Sequence, residues 1–209
     1  MLKILIADDH TVVRKGLRQI LLEEFLSAEI DEAADAEELM KKVMKKEWDI
    51  VVSDISMPGR SGLEVLQQIK QHYPRLPVLI LSIHPEDQYA VRVLKAGASG
   101  YLNKDSAPDE LVKAVRQVLL GKKYITSSTA ERLASLLDHD PGKLPHEHLS
   151  DREFEVLRLL SAGSPVSEIA EKLSLSVTTV STYRARILAK MNLKSNADLT
   201  LYAIKNNLL

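Results

Sequence analysis

Ile4-Leu5-Ile6-Ala7-Asp8-Asp9 opens the chain with an apolar run that breaks off at two acids. The same figure returns in Ile50-Val51-Val52-Ser53-Asp54, and again, ending in a cation, in Tyr101-Leu102-Asn103-Lys104. Each run has the length and near-continuous apolar character of a buried strand. Side by side in a parallel sheet, the three would bring Asp8, Asp9, Asp54 and Lys104 together at the carboxyl ends of the strands, where open α/β sheets place their chemistry. Three carboxylates beside one ammonium make a pocket for a hard cation and a phosphate.

Outward from these runs, strand and helix patterns alternate through the first 120 residues. Leu2 to Ala7 predicts a strand, and Val13, Leu17, Ile20, Leu21 and Phe25 then recur at helical spacing. Ala28 to Ala34 is a weaker strand and Glu37 to Lys46 a charged helix. Ile50 to Ser53 is a strand, Gly62 to Gln71 a helix, Pro77 to Leu81 a strand, and Asp87 to Ala96 a helix stopped by Gly97. Gly100 to Asn103 is the last strand, and Pro108 opens a helix that Gly121 closes. Five strand-helix units in series call for a parallel sheet with helices on both faces. For Asp9 a helix-capping role is equally open. Capping does not explain Asp54, which ends a buried strand before Met57-Pro58-Gly59.

The chain has 209 residues, no cysteine and a net charge of -1. That length fits two domains, and the missing cysteines exclude disulfides, thiolate zinc sites and thiol catalysis. No stretch approaches the roughly 20 apolar residues of a bilayer span, and the first apolar run meets two aspartates at once, so a soluble cytoplasmic protein without a membrane partner is expected. The near-neutral balance conceals a split. Residues 1–120 carry 16 basic against 19 acidic side chains, whereas residues 174–209 carry Arg184, Arg186, Lys190, Lys194 and Lys205 against Asp198 alone. An acidic front and a basic tail point to two tasks.

A further amphipathic helix is expected from Tyr124 to about Leu137, through Ala130, Leu133, Leu136 and Leu137. Between Asp138 and Leu149 the periodicity breaks around Pro141, Gly142 and Pro145. The three histidines there, His139, His146 and His148, read as a solvated linker rather than a metal site. The divisions are therefore 1–121, a linker at 122–148, and 149–209. The last part predicts four short helices: Asp151 to Ser161, Val166 to Leu173, Val177 to Met191 and Asn196 to Lys205. Ser150 with Glu153 forms a capping box. Ser174-Leu175-Ser176 is the tight turn of a helix-turn-helix. On the third of these helices Val180, Tyr183, Ile187 and Met191 share one face. Thr178, Ser181, Thr182 and Ala185 share the other, edged by Arg184 and Arg186. Small hydroxyl-bearing side chains with flanking cations suit a major groove.

The ordered set Asp8-Asp9, Asp54 with Met57-Pro58-Gly59 and Gly62, Ser82, Tyr101 and Lys104 resembles the receiver domain of bacterial two-component response regulators. That resemblance implies a doubly wound, flavodoxin/CheY-like five-stranded parallel sheet. It implies that Asp54 is the phosphoacceptor of a sensor histidine kinase, with Mg²⁺ held by Asp9, Asp54 and the Ser56 carbonyl and by Asp8 largely through water. Lys104 would pair with Asp54 and then with its phosphoryl group; Ser82 and Tyr101 would act as the switch pair.

Leu149-Ser150-Asp151-Arg152-Glu153, Val156-Leu157, Glu168-Ile169-Ala170, Ser176 with Thr179-Val180, and Lys190 are similar to the LuxR-type output domain of the NarL/FixJ class. This implies an all-α four-helix domain that binds double-stranded promoter DNA, with the last helix pairing two copies into a homodimer on phosphorylation and with RNA polymerase as a further partner. The candidate DNA contacts are Thr178, Thr179, Ser181, Thr182, Arg184, Ala185, Arg186, Lys190 and Lys194. Many family members carry lysine just after the Thr-Val pair and histidine two residues later, where this chain has Ser181 and Tyr183, so no known operator transfers to it. Two rivals remain: a metal-dependent phosphohydrolase, which lacks a second general acid near Asp54, and a constitutive regulator whose receiver is only a dimer scaffold. The expected protein is not a metabolic enzyme.

Overall fold

The computed structural model describes residues 1–57, 61–84, 86–127, 129–131, 133 and 144–209. Its contacts divide into two compact units, Met1–Asp138 and His139–Leu209. The first alternates β1 (Lys3–Ala7), α1 (Thr11–Glu24), β2 (Glu29–Ala33), α2 (Ala36–Lys45), β3 (Ile50–Asp54), α3 (Gly62–His72), β4 (Val78–Ser82), α4 (Glu86–Lys95), β5 (Gly100–Asn103) and α5 (Ala107–Leu119). The strands form one parallel sheet in the order β2-β1-β3-β4-β5.

This order explains the differing strength of the strand patterns. β3 and β4 lie inside the sheet and are buried along their whole lengths, as is β1 from Ile4 to Ala7. Their aliphatic side chains each contribute about 1.5–3 kcal/mol of burial. β2 is an edge strand, half exposed up to Ala33, which is why Glu29, Asp31 and Glu32 dilute its pattern. The other edge, β5, is partly covered by Tyr124, which bridges to Gly100; a Cβ on Gly100 would stand 2.8 Å from the Tyr124 carbonyl oxygen. Gly121 takes φ 76° just beyond α5, the left-handed stop its position calls for.

Two expectations for the connecting segment change. Tyr124 is a sheet-edge residue rather than the start of a helix, and helical backbone is found at 127 and 129–131; Leu136 and Leu137 lie outside the described residues. Pro145–His148 forms a short 3-10 turn, and His146 is buried instead of solvated. Its Nδ1 is 2.8 Å from the Tyr202 hydroxyl and its ring packs near Phe154, so apolar neighbours draw it in. His148 is exposed, and His139 lies outside the described residues.

The second unit continues with α6 (Asp151–Ser161), α7 (Val166–Lys172), α8 (Val177–Met191) and α9 (Asn196–Lys205). Ser150 and Glu153 form the expected capping box at α6, and Ser195 with Asp198 forms another at α9. Ser174 adopts φ 53° in the α7–α8 turn. There the buried Arg152 donates Nη2–H to the Leu173 carbonyl at 2.8 Å and ties the turn back to α6. Phe154, Leu157, Ile169, Val180, Ile187 and Leu199 are among the buried core residues of this unit. Among the described residues, no helix is long and apolar enough to cross a membrane.

Candidate functional site

Because β1, β3 and β5 all point the same way, their carboxyl ends deliver Asp8, Asp54 and Lys104 to one pocket. Lys104 Nζ lies 2.6 Å from Asp8 Oδ2 and 2.7 Å from Asp54 Oδ2. Asp8 and Asp54 are buried, and Asp9 is half-buried at the rim. Asp54 Oδ1 accepts the Ser56 amide at 3.1 Å, and Asp8 Oδ1 accepts the His10 amide at 2.8 Å. α3 starts hard against this loop. A Cβ on Gly62 would fall 2.6 Å from Ile55 Cα, so a side chain there would push on the residue that follows Asp54. Pro58 and Gly59, the remainder of that expected motif, lie outside the described residues.

Burial pushes the Asp54 carboxyl above its ordinary value, and outweighs the opposing charge and hydrogen bond of Lys104. For Lys104 burial works against the charge, but the attraction of Asp54 and hydrogen bonds to Asp54 and Asp8 prevail and raise its pKa. The lysine therefore stays charged between two crowded carboxylates. Asp8, Asp9, His10 and Asp54 each offer a ligand atom, all within 4.8 Å of one another. Carboxylate oxygens in this number fit a hard divalent metal.

Ser82 ends β4 beside the pocket. Its Oγ accepts the His84 amide at 3.0 Å, and Tyr101, buried at 1% exposure, donates its hydroxyl to the His84 carbonyl at 2.7 Å. His84 also stacks on Tyr89 of α4 with ring centroids 4.7 Å apart, and its Nε2 is 3.4 Å from Ser56 Oγ. Sequence reasoning passed over His84, His10 and Arg14. The last donates Nη1–H to the Asp8 carbonyl at 2.6 Å. Their signal was position alone: directly after the acidic pair, four residues into the first helix, and two residues past Ser82.

In the second unit, α8 turns Val180, Ile187 and Met191 inward and leaves Thr178, Ser181, Thr182, Ala185 and Arg186 exposed. Val177, which the sequence did not single out, is 53% exposed at its first position. The other expected contacts are not equivalent. Thr179 helps close the N-cap, its amide and hydroxyl both on Ser176 Oγ. Arg184 donates Nε–H to Asn196 Oδ1 at 2.6 Å, and Lys190 Nζ is 2.6 Å from Glu153 Oε2. Both cations are thus paired within the unit, although Lys190 is itself exposed, as are Arg186 and Lys194. Glu153 serves two groups at once, and its burial is outweighed by the Lys190 hydrogen bond and the Ser150 bonds, which hold its carboxyl below the ordinary value.

A model of the response regulator receiver domain matches residues 4–116, and a model of bacterial regulatory proteins of the luxR family matches residues 147–203. The response regulator UvrY of Escherichia coli is 36% identical over 209 residues, covering 100% of this chain and 96% of its own. The oxygen regulatory protein NreC of Staphylococcus carnosus is 40% identical over 215 residues, covering 100% of this chain and 99% of its own. Among solved structures, RcsB from Salmonella enterica serovar Typhimurium, bound to promoter rprA in the presence of phosphomimetic BeF3−, is similar with a TM-score of 0.64 at 29% identity. That match covers 97% of this chain and 98% of RcsB.

Proposed function

The chain belongs to the NarL/FixJ response regulators, which join a receiver domain to a LuxR-type DNA-binding domain, and from that premise we propose that Asp54 is its phosphoacceptor and that phosphorylation controls promoter binding by the second unit. It is a DNA-binding two-component regulator, not an enzyme. The observation that carries the assignment to Asp54 is the Lys104 ammonium, set within hydrogen-bond distance of the carboxylates of both Asp8 and Asp54 in a buried pocket.

A carboxylate oxygen of Asp54 attacks phosphorus in line; the bond from phosphorus to the donor, a phosphohistidine of a sensor kinase, breaks, and the imidazole leaves. Lys104 turns from the carboxylate to the phosphoryl oxygens, and the Ser82 hydroxyl donates to one of them. Mg²⁺, when held by Asp8, Asp9, Asp54 and the Ser56 carbonyl, would neutralise charge on those oxygens. About two added negative charges then bias the surface around α4, β5 and α5 between two states. In the second unit, α8 would enter the major groove, with Arg186 and Lys194 as the freer phosphate contacts. Two copies would dimerise on a two-fold operator in the cytoplasm, within reach of RNA polymerase.

Incubation with acetyl phosphate and Mg²⁺, followed by borohydride trapping and peptide mass spectrometry, tests the assignment. Reductive label at position 54, lost in Asp54→Asn, is expected; label elsewhere, or label that persists in the variant, would overturn it.

A further inference from the structure

The first residue of α4 makes a contact that phosphoryl chemistry does not require. Glu86 Oε1 accepts two hydroxyls, from Thr126 at 2.6 Å and from Thr129 at 2.5 Å. Both threonines lie beyond α5, on the stretch of chain that leads to the DNA-binding unit. That stretch is anchored next to the contact as well. The Tyr124 amide donates to the Ser99 carbonyl at 2.9 Å, and Thr129 is only 4% exposed. Burial, the Glu110 hydrogen bond and the charges of Glu110 and Glu86 push the Tyr124 phenol up to about 12, in keeping with a carboxylate close by.

Upstream, Glu86 stands four residues from Ser82. His84, which lies between them, is held by the pocket: its amide on Ser82 Oγ, its carbonyl under the Tyr101 hydroxyl, and its ring on Tyr89. A Ser82 hydroxyl that rotates toward a phosphoryl group on Asp54 takes its oxygen out of line with the His84 amide. His84, two residues before Glu86, then loses one of its fixed points.

We propose that Glu86 is a positioning residue that clasps Thr126 and Thr129 to α4 in the unphosphorylated protein, and that phosphorylation opens this clasp and frees the connector to the DNA-binding unit. The coupling rests on the reading of Asp54 given above. The clasp itself rests on Glu86 and the two threonines alone. A carboxylate that accepts two hydroxyls holds through charge-assisted bonds, stronger than neutral ones. Loss of both is enough to change local opening by about tenfold or more.

Amide hydrogen exchange of the full chain, followed by mass spectrometry of the peptides spanning 80–90 and 122–131, tests both parts, with Mg²⁺ and with or without beryllofluoride. In the unmodified chain, beryllofluoride should speed exchange of 122–131 by about tenfold. Glu86→Ala and the double variant Thr126→Val, Thr129→Val should exchange fast there from the start and ignore beryllofluoride. Glu86→Gln, which keeps an acceptor oxygen, should fall between. A merely structural role would alter basal exchange without removing the beryllofluoride response. If Glu86→Ala leaves basal exchange of 122–131 unchanged, the clasp is overturned. If beryllofluoride changes 80–90 but not 122–131, the coupling is overturned. If it changes neither, the reading of Asp54 fails first, and the coupling with it.

Discussion

Replacing Lys104 by methionine keeps the length and apolar stem of the side chain but removes the ammonium from between Asp8 and Asp54. At 2.7 Å, an ion pair in an effective dielectric near 20 is worth about 6 kcal/mol before the lysine's own desolvation is subtracted. Two buried carboxylates without that charge do not both stay ionised. Asp54, already raised by burial, takes up a proton instead, and this caps the loss. Keeping a carboxyl of ordinary value 3.8 protonated costs about 1.4 kcal/mol per pH unit above that value. The deficit of the variant is therefore about 4 kcal/mol at pH 7 and about 1.6 kcal/mol at pH 5. The sign follows from proton binding: the folded variant holds a proton that the unfolded chain has lost, so its stability improves as pH falls toward 3.8. Trp48, the single tryptophan and buried in the first unit, reports urea unfolding of that unit. Saturating Mg²⁺ should recover most of the loss at pH 7. An equal deficit at both pH values, or none at pH 7, would refute the view that this lysine is the counter-charge of a buried carboxylate pair.

Glu153→Gln should destabilise the second unit by about 1–2 kcal/mol at neutral pH, since it weakens a capping box and an ion pair together. Because the Glu153 pKa is lowered, its contribution is present above 4.5 and is lost as pH falls through the folded value; thermal melts at pH 7 and pH 3.5 check this. Arg186→Ala should reduce the salt slope of DNA binding by about one unit, and Lys190→Ala by clearly less, because Glu153 already holds that ammonium. Fluorescence anisotropy across a salt series separates the two. Gly62→Ala would place a methyl 2.6 Å from Ile55 Cα, and should cost about 1–3 kcal/mol in urea melts followed by Trp48.

The sheet and its pocket were legible because apolar runs that end in charge have few other uses. Each of β1, β3 and β5 carries its chemistry at its own terminus, so register along one strand was sufficient. Contacts across elements were not legible in that way. His84 reaches Ser56 and Tyr101 through a loop whose path periodicity does not describe, and Arg14 meets the Asp8 carbonyl only because α1 lies over β1. The tail shows the same division. Amphipathic spacing identified the exposed row of α8, but not that Asn196 and Glu153 would occupy two of its cations, because those partners come from α9 and α6. His146 read as solvated because its neighbours in sequence are polar and proline-rich; the side chains that bury it, Phe154 and Tyr202, come from α6 and α9.

The most direct test of phosphorylation-gated DNA binding is recovery of bound fragments from sheared genomic DNA with Mg²⁺, with and without beryllofluoride, for the unmodified chain and for Asp54→Ala. Enrichment of a two-fold sequence only with beryllofluoride, and only with Asp54 intact, is the predicted result. Equal enrichment in all conditions would contradict the gating and leave a constitutive DNA-binding protein, and no enrichment in any would contradict DNA binding itself.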